Sequence, residues 1–482
     1  MVDHTQCEQS LQLLDTEVVR ITSELIRIDT TNHGQGHGWE RPAAEYVAEQ
    51  LTDAGLNPRI LESAPGRANV LARVHGTDPD RPALLVHGHL DVVPAESALW
   101  SVPPFAGAIE ADLVWGRGAL DMKQALAMTL ATLRHWHRTG TRPQRSLVLA
   151  FTADEEDSAA YGAAWLAREH SAEFAKVSDA IGESGGHTYH AHDLQGAPVR
   201  LYPIGAGERG TAWLHLTAYG QAGHGSRMRP PFRNVRTHDS APGAGHEPAE
   251  ASDRVDSSNA VSALAAAVTR IAAHSWPVRL TDTTRSSLHA ISAALGMSAD
   301  VASANFDAQR DLDGVLDRMG PAAELLGPTV RNSTNPTMLA AGDKLNVIPQ
   351  RAHAGVDGRV VPGTDAEFRA TLDQLTGPRV DWEFAHRSTP VESPVDTATF
   401  AAMRAAVHSQ DPQAHVVPVC LSGGTDAKHF APLGITGYGF VPLGFPSWFD
   451  QRGLVHGVDE RVPVTALQFG VRVLDRFLRT VA

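Results

Sequence analysis

Four short apolar runs, NVLARV (69–74), ALLVHGHL (83–90), SLVLAFTA (146–153) and VSDAIGE (177–183), are separated by stretches of helical periodicity such as 122–137 and 159–168. Brief, unbroken apolar runs that alternate with helices are the pattern of strands buried on both faces of a largely parallel sheet. The pattern predicts an α/β fold. It also says where to look for chemistry, because ligands of such sheets gather at the carboxyl ends of the strands. Before the first strand, Leu11, Leu14, Val18, Ile21, Leu25 and Ile28 recur at helical spacing, and residues 40–54 repeat the pattern and stop at Gly55.

At 482 residues the chain exceeds the size at which one core stops growing, so two domains are expected. The texture changes near 208. TAWLHLTAYG reads as a strand ended by Gly220, and residues 233–256, rich in Pro, Gly, Asp and His and without periodicity, read as a surface loop. A helix is expected over 257–274, strands around 344–361, a helix over 365–375 and a strand in VDWEFAH. From 390 the α/β texture returns and closes on an amphipathic helix, 464–480. The expected organisation is a first domain formed by 1–207 and 387–482, with 208–386 inserted as a smaller α+β domain. The net charge of −14 argues against nucleic acid, whose binding depends on neutralising phosphates. Cys7 and Cys420 are the two cysteines, too few for a disulfide framework. With no leader-like start and no apolar stretch of ~20 residues, the expectation is a cytoplasmic protein that does not enter a membrane.

The strand ends carry carboxylates and histidines: His89 and Asp91, Asp121 in WGRGALDMK, the run Asp154-Glu155-Glu156, and Glu183 in AIGESGG. His456 follows in a loop flanked by Gly453 and Gly457. Each has a purely structural alternative. Thr152 and Glu155 have the spacing of a capping box, Asp121 could cap a helix beginning at Met122, and a strand-end histidine is ordinarily just hydrogen-bonded. Their convergence on one rim of one sheet favours a two-zinc site. A catalytic zinc takes about three protein ligands of this kind, and a pair of ions needs a bridging carboxylate. With Asp121 bridging, one ion takes His89 and Glu183, the other Glu156 and His456, and three carboxylates against two dications leave one positive charge for a bridging hydroxide. Asp91 can orient His89 through its second ring nitrogen, Glu155 is the candidate general base, and His87 is left as a packing residue.

The segments GHLDVVP (88–94), WSVPPFAGAIEADLVWGRGALDMK (100–123), TADEE (152–156), GESGG (182–186), GHGS (223–226), LNVIP (345–349), DGR (357–359), SGGTDA (422–427) and HGVDERV (456–462) together resemble metallopeptidase family M20. That family includes glutamate carboxypeptidase, aminoacylase, acetylornithine deacetylase, succinyl-diaminopimelate desuccinylase and related dipeptidases. The resemblance implies a zinc-exopeptidase-like catalytic domain with an inserted lid and dimerisation domain. It implies His89, Asp121, Glu156, Glu183 and His456 as ligands of two Zn ions per chain, with Co or Mn as substitutes, Glu155 as base and acid, and Asp91 as the residue orienting His89. It further implies that His224 stabilises the oxyanion, in some members across a dimer, that Asn346 and Arg359 grip the substrate carboxylate, and that Gly423, Gly424 and Thr425 form the loop beside it. The segment 233–256 departs from the pattern by lengthening the link after GHGS.

These features predict a homodimeric di-zinc hydrolase that cuts an amide bond beside a free carboxylate in a small peptide or an N-acyl amino acid. RNSTNPTMLAAGDKLNVIP (331–349) resembles the carboxypeptidase and aminoacylase branch more than the desuccinylase branch. A deacetylase or desuccinylase, or a catalytically silent relative, is the alternative within the family. IGAGERG (204–210) contains GxGxxG, but the adjoining TAWLHLTAYG reads as a strand where a dinucleotide fingerprint needs a helix. A serine hydrolase is disfavoured.

Overall fold

The computed structural model describes residues 4–226 and 259–481, so the 233–256 segment lies outside the described residues. The chain divides into two compact units. The first runs to Glu208, takes in Asp282–Pro328 and resumes at Val391; the second comprises Arg209–Thr281 and Thr329–Pro390.

The first unit is built on a mixed sheet in the order Arg59–Ala64, Arg67–Val74, Leu147–Thr152, Ala83–His89, Val177–Gly182, Thr436–Gly439, Pro198–Glu208, Val391–Glu392. The run from Leu147–Thr152 to Thr436–Gly439 is parallel, as the apolar runs predict. The margins of that order pair antiparallel, while His415–Leu421 joins Pro198–Glu208 in parallel, so the sheet as a whole is mixed. Alternation along the central strands explains their unbroken hydrophobicity. Leu84, Val86, Leu147, Leu149 and Phe151 enter one core, while Leu85, Val148 and Ala150 enter another on the opposite face. The first core is closed by His4–Ile26 (through Leu14, Val18, Ile21 and Leu25), Arg41–Asp53, Lys123–Thr139, Ala398–Gln410 and Val464–Thr480; the second by Ala163–Glu169 and Phe430. Lys123–Thr139 stops at Gly140, whose φ of 68° suits the left-handed position after a helix.

The second unit is a four-stranded antiparallel sheet, Ser333–Ala341, Arg351–Val360, Gly210–Tyr219, Val380–Arg387, with helices Ala260–Ala273 and Asp365–Thr376 on one face. Ala212, Leu214, Leu216 and Ala218 point into that core, whereas Trp213, His215 and Tyr219 alternate outward and are exposed.

The inserted unit is smaller than the expected 208–386. Residues 282–328 pack with the first unit: Ser287 Oγ donates to Pro418 O at 2.6 Å, the Leu194 amide to Leu295 O at 3.1 Å, and Tyr189 OH to Pro321 O at 2.6 Å. Helical periodicity shows that such a segment has an apolar face but not which core receives it. IGAGERG runs from one strand into the next, with no helix at its end, which removes the dinucleotide reading. Among the described residues no helix is long and apolar enough to cross a membrane.

Candidate metal centre

Because Ala83–His89, Leu147–Thr152 and Val177–Gly182 are parallel neighbours, their carboxyl ends share one edge of the sheet. That edge delivers His89 at the end of its strand, Glu155 and Glu156 three and four residues past Thr152, and Glu183 one residue past Gly182. Asp121, before helix Lys123–Thr139, and His456, in a loop of the same unit, complete the group.

The two oxygens of Asp121 face two different histidines. Oδ1 lies 3.0 Å from His89 Nε2, which is also 3.8 Å from Glu183 Oε2. Oδ2 lies 3.1 Å from His456 Nε2, itself 3.1 Å from Glu156 Oε2. Each histidine thus meets one oxygen of the shared Asp121 and one further glutamate, in the division expected of a bridged pair of cations. Glu155 joins His89 and Glu183 with its ligand atom within 4.8 Å of theirs. Glu156 Oε1 and Glu183 Oε1 are buried without a hydrogen-bond partner. Buried oxygens of this kind are costly unless something positive meets them, and nitrogen and carboxylate donors in this number suit zinc.

The electrostatics agree. Burial, reinforced by Asp426, Glu156 and Asp121, pushes the Glu155 carboxyl well above the usual range. Burial and the nearby Glu155 do the same to Glu183. Hydrogen bonds to Asp121 and Glu156 push His456 up to about 10, and Asp121, although buried, is held low by its two histidines. The group holds protons that a divalent cation would displace.

Two further ties hold the candidate residues in place. His89 Nδ1 donates to the backbone carbonyl of Asp91 at 2.9 Å, which aims Nε2 at Asp121 and Glu183. The Asp91 carboxylate is more distant from that nitrogen, 3.7 Å, and accepts the amides of Glu155 and Glu156 instead, at 3.2 Å each. Buried Glu460 accepts the amides of Gly118, Leu120 and Asp121 and pairs with Arg117 at 2.7 Å; Arg117 also donates to the carbonyls of His456 and Gly457. This pair ties the Asp121 loop to the His456 loop. His87 is buried against Phe430, with a proton affinity depressed by burial to about 3, in space that Gly182 leaves open: a Cβ there would fall 2.2 Å from the ring. It packs and does not join the cluster.

The capping alternatives fail. Residues 153–162 form no helix, the following helix starts at Ala163, and Thr152 Oγ1 donates to Gly88 O and Asp426 Oδ2. Helix Lys123–Thr139 has no side-chain cap. Sequence reasoning missed Asp426, whose carboxyl is pushed up by burial to about 6, and Glu460. Both sit inside motifs already singled out, SGGTDA and HGVDERV, and an acid beside such motifs was the available signal.

Of the other expected residues, Gly423 is exposed, while Thr425 is buried and gives its amide and hydroxyl to Glu208 at 2.9 and 2.5 Å, which anchors the Gly423-Gly424 loop. His224, Asn346 and Arg359 belong to the second unit. GHGS pairs with LNVIP as a two-stranded ribbon, with His224 opposite Val347 and the Gly225 amide on Asn346 O, so His224 and Asn346 are neighbours. Nδ1 of exposed His224 accepts from the Ser226 amide at 3.2 Å, which leaves Nε2 to carry the proton. The Arg359 guanidinium grips Asp357 at 2.9 and 3.1 Å and reaches Thr211 Oγ1.

Residues 85–480 match peptidase family M20/M25/M40. The chain is 25% identical to the N-fatty-acyl-amino acid synthase/hydrolase PM20D1 of Xenopus tropicalis, over 90% of this chain and 79% of that protein. It is 24% identical to aminoacylase-1 of Sus scrofa, over 96% and 95%. The M20 family metallo-carboxypeptidase Sso-CP2 from Sulfolobus solfataricus shares the fold at a TM-score of 0.66 and 18% identity, covering 96% of this chain and 98% of that one.

Proposed function

The chain belongs to peptidase family M20/M25/M40 and is a hydrolytic enzyme, and from that premise we propose that it uses two zinc ions to cleave an amide or peptide bond beside a free carboxylate. The observation that carries the reading is the carboxylate of Asp121, divided between the His89–Glu183 and the His456–Glu156 pairs. When bound, the two ions supply Lewis acidity toward the substrate carbonyl and lower the pKa of water. Glu155 takes the proton from the attacking water as the oxygen–carbon bond forms, then gives it to the nitrogen as the carbon–nitrogen bond breaks. A carboxyl raised by burial is suited to both halves of that transfer near neutral pH. His224 donates from Nε2 to the developing oxyanion, and Arg359, exchanging Asp357 for substrate, takes the carboxylate as a fork with Asn346 beside it. The Gly423-Gly424-Thr425 loop, anchored on Glu208, is read as a further segment that contacts substrate.

Similarity to aminoacylase-1 and to an N-fatty-acyl-amino acid synthase/hydrolase supports N-acyl amino acids as substrates, and similarity to a metallo-carboxypeptidase keeps short peptides in view. The second unit is read as a lid through which two copies associate. Its outer strand Ser333–Ala341 leaves Met338 and Leu339 exposed, 72% and 64%, on an unpaired edge of the described sheet. The low cysteine count supports a reducing, cytoplasmic setting. The test is amine release from dipeptides, N-acetyl amino acids and N-succinyl amino acids with zinc supplied. Preference for N-acetyl substrates or dipeptides is expected; zinc bound without cleavage of any panel member would leave the silent relative as the better reading. Light scattering of wild type and Met338→Asp, expected to be dimer and monomer, tests the association.

A further inference from the structure

Glu155 and Glu156 stand on a turn whose leading residue, Asp154, is fully buried and has φ of 68°, a conformation that non-glycine residues adopt only when their surroundings impose it. The surroundings here are a connected set of polar side chains. Asp154 Oδ1 accepts from Arg67 Nη2 at 2.8 Å and from Asn32 Nδ2 at 3.1 Å, while Oδ2 accepts from Ser158 Oγ at 3.0 Å and the Tyr161 amide at 3.3 Å. Arg67, 1% exposed, grips Glu40 with Nε and Nη2 at 2.8 Å each and lies over the Tyr161 ring at 4.9 Å. Asn32 gives its other amide hydrogen bond to Asp91 Oδ2 at 2.9 Å. The Asp91 carboxylate in turn accepts the two amides that begin Glu155 and Glu156.

The set therefore has a direction. Starting from Glu40 it passes through Arg67 to Asp154 and through Asn32 to Asp91, and it ends on the backbone of the two glutamates from both sides. We propose that Arg67 and Asn32 are positioning residues that set where the Glu155 and Glu156 carboxylates point, an inference that rests on the hydrolase reading above. Neither reaches the cluster itself. An ion pair serving stability alone could hold any two elements together. This one holds the strained residue between strand Leu147–Thr152 and the candidate base, and Asn32 joins it to the acceptor of the two amides. Arg67 is suited to the task because a planar fork can hold Glu40 in two places and still reach Asp154, which an ammonium cannot.

The test uses the metal-free full-length protein titrated with zinc by calorimetry, together with kcat and KM on the best substrate of the panel, for wild type, Arg67→Lys and Asn32→Ala. Both variants are expected to lose zinc affinity by about 10–100-fold at one of two sites, the one that includes Glu156, and to lose kcat to a similar extent with KM nearly unchanged. Lysine is not expected to rescue arginine. Variants that melt earlier but bind zinc and turn over like wild type would reduce the set to a structural role and overturn the inference. Asn32→Ala removes no charge and keeps the test open if Arg67→Lys does not fold. Wild type that binds zinc without cleaving any substrate overturns the hydrolase reading and leaves zinc affinity to decide on the set, whereas wild type that binds no zinc overturns both.

Discussion

The candidate residues of the two units are kept in opposite ways. In the first unit His89, Asp121, Glu156 and Glu183 are buried or nearly so, with His456 the exposed exception, and their backbones and ring nitrogens are tied down by Asp91, Glu460 and Arg117. In the second, His224 and Asn346 are exposed on a ribbon and Arg359 is engaged with Asp357 in its own strand. The first arrangement is costly to assemble and useful because it is finished before a ligand arrives. The second presents groups that, on the function proposed above, exchange a local partner for substrate. On that reading, binding energy is drawn from groups of the second unit, while the geometry of reaction belongs to the first.

Substitutions can break this contrast. Glu460→Ala leaves Arg117 buried without its carboxylate and releases three backbone amides, so a loss of about 3–5 kcal/mol of stability is expected in thermal or denaturant unfolding; an unchanged melting curve would mean that the loops of Asp121 and His456 are not held this way. His224→Ala should lower kcat by about 10²–10³-fold with zinc content by atomic absorption unchanged, and loss of metal instead would place His224 with the ligands. Arg359→Lys should raise KM for carboxylate substrates by about 10–100-fold, the value of charge-assisted hydrogen bonds of ~1.5–3 kcal/mol, and spare kcat. A KM that stays put would remove Arg359 from substrate binding.

The smallest effect sharpens the contrast from the proton side. Zinc requires His456, raised to about 10, and the raised Glu155–Glu183 group to give up protons. Because these protons are bound in the free protein and released on metal binding, affinity should rise with pH, by about tenfold per unit for each proton released. Titrations in mildly acid and mildly alkaline buffers measure the slope, and a flat profile would contradict the proton-holding cluster.

Much of the first unit is legible in the sequence because its signals are local. The apolar runs show which strands are buried on both faces, and although each polar residue at the end of such a run has a structural alternative, their convergence on one rim points to a site. The limits of the second unit were harder to read, since 282–294 has the same helical texture whether it covers the core of one unit or the other; contacts such as Ser287 with Pro418 decide that. Thr152 and Glu155 mislead for a related reason. Their spacing suits a capping box, but a long-range bond to Asp426 claims the Thr152 hydroxyl and the left-handed Asp154 breaks the turn. Arg67, Glu40 and Asn32 are invisible because charged and amide side chains are by default at the surface, and nothing local marks the few that are buried as a set.

The most direct measurement is amine release by wild type and Glu155→Gln, each assayed with its zinc content determined. Wild type should hold two zinc ions per chain and cleave N-acyl amino acids or dipeptides, while Glu155→Gln should hold the same metal and lose about 10²–10⁴-fold in turnover. A Glu155→Gln protein that turns over like wild type, or a wild type without zinc, would contradict the metal-assisted mechanism with Glu155 as its base.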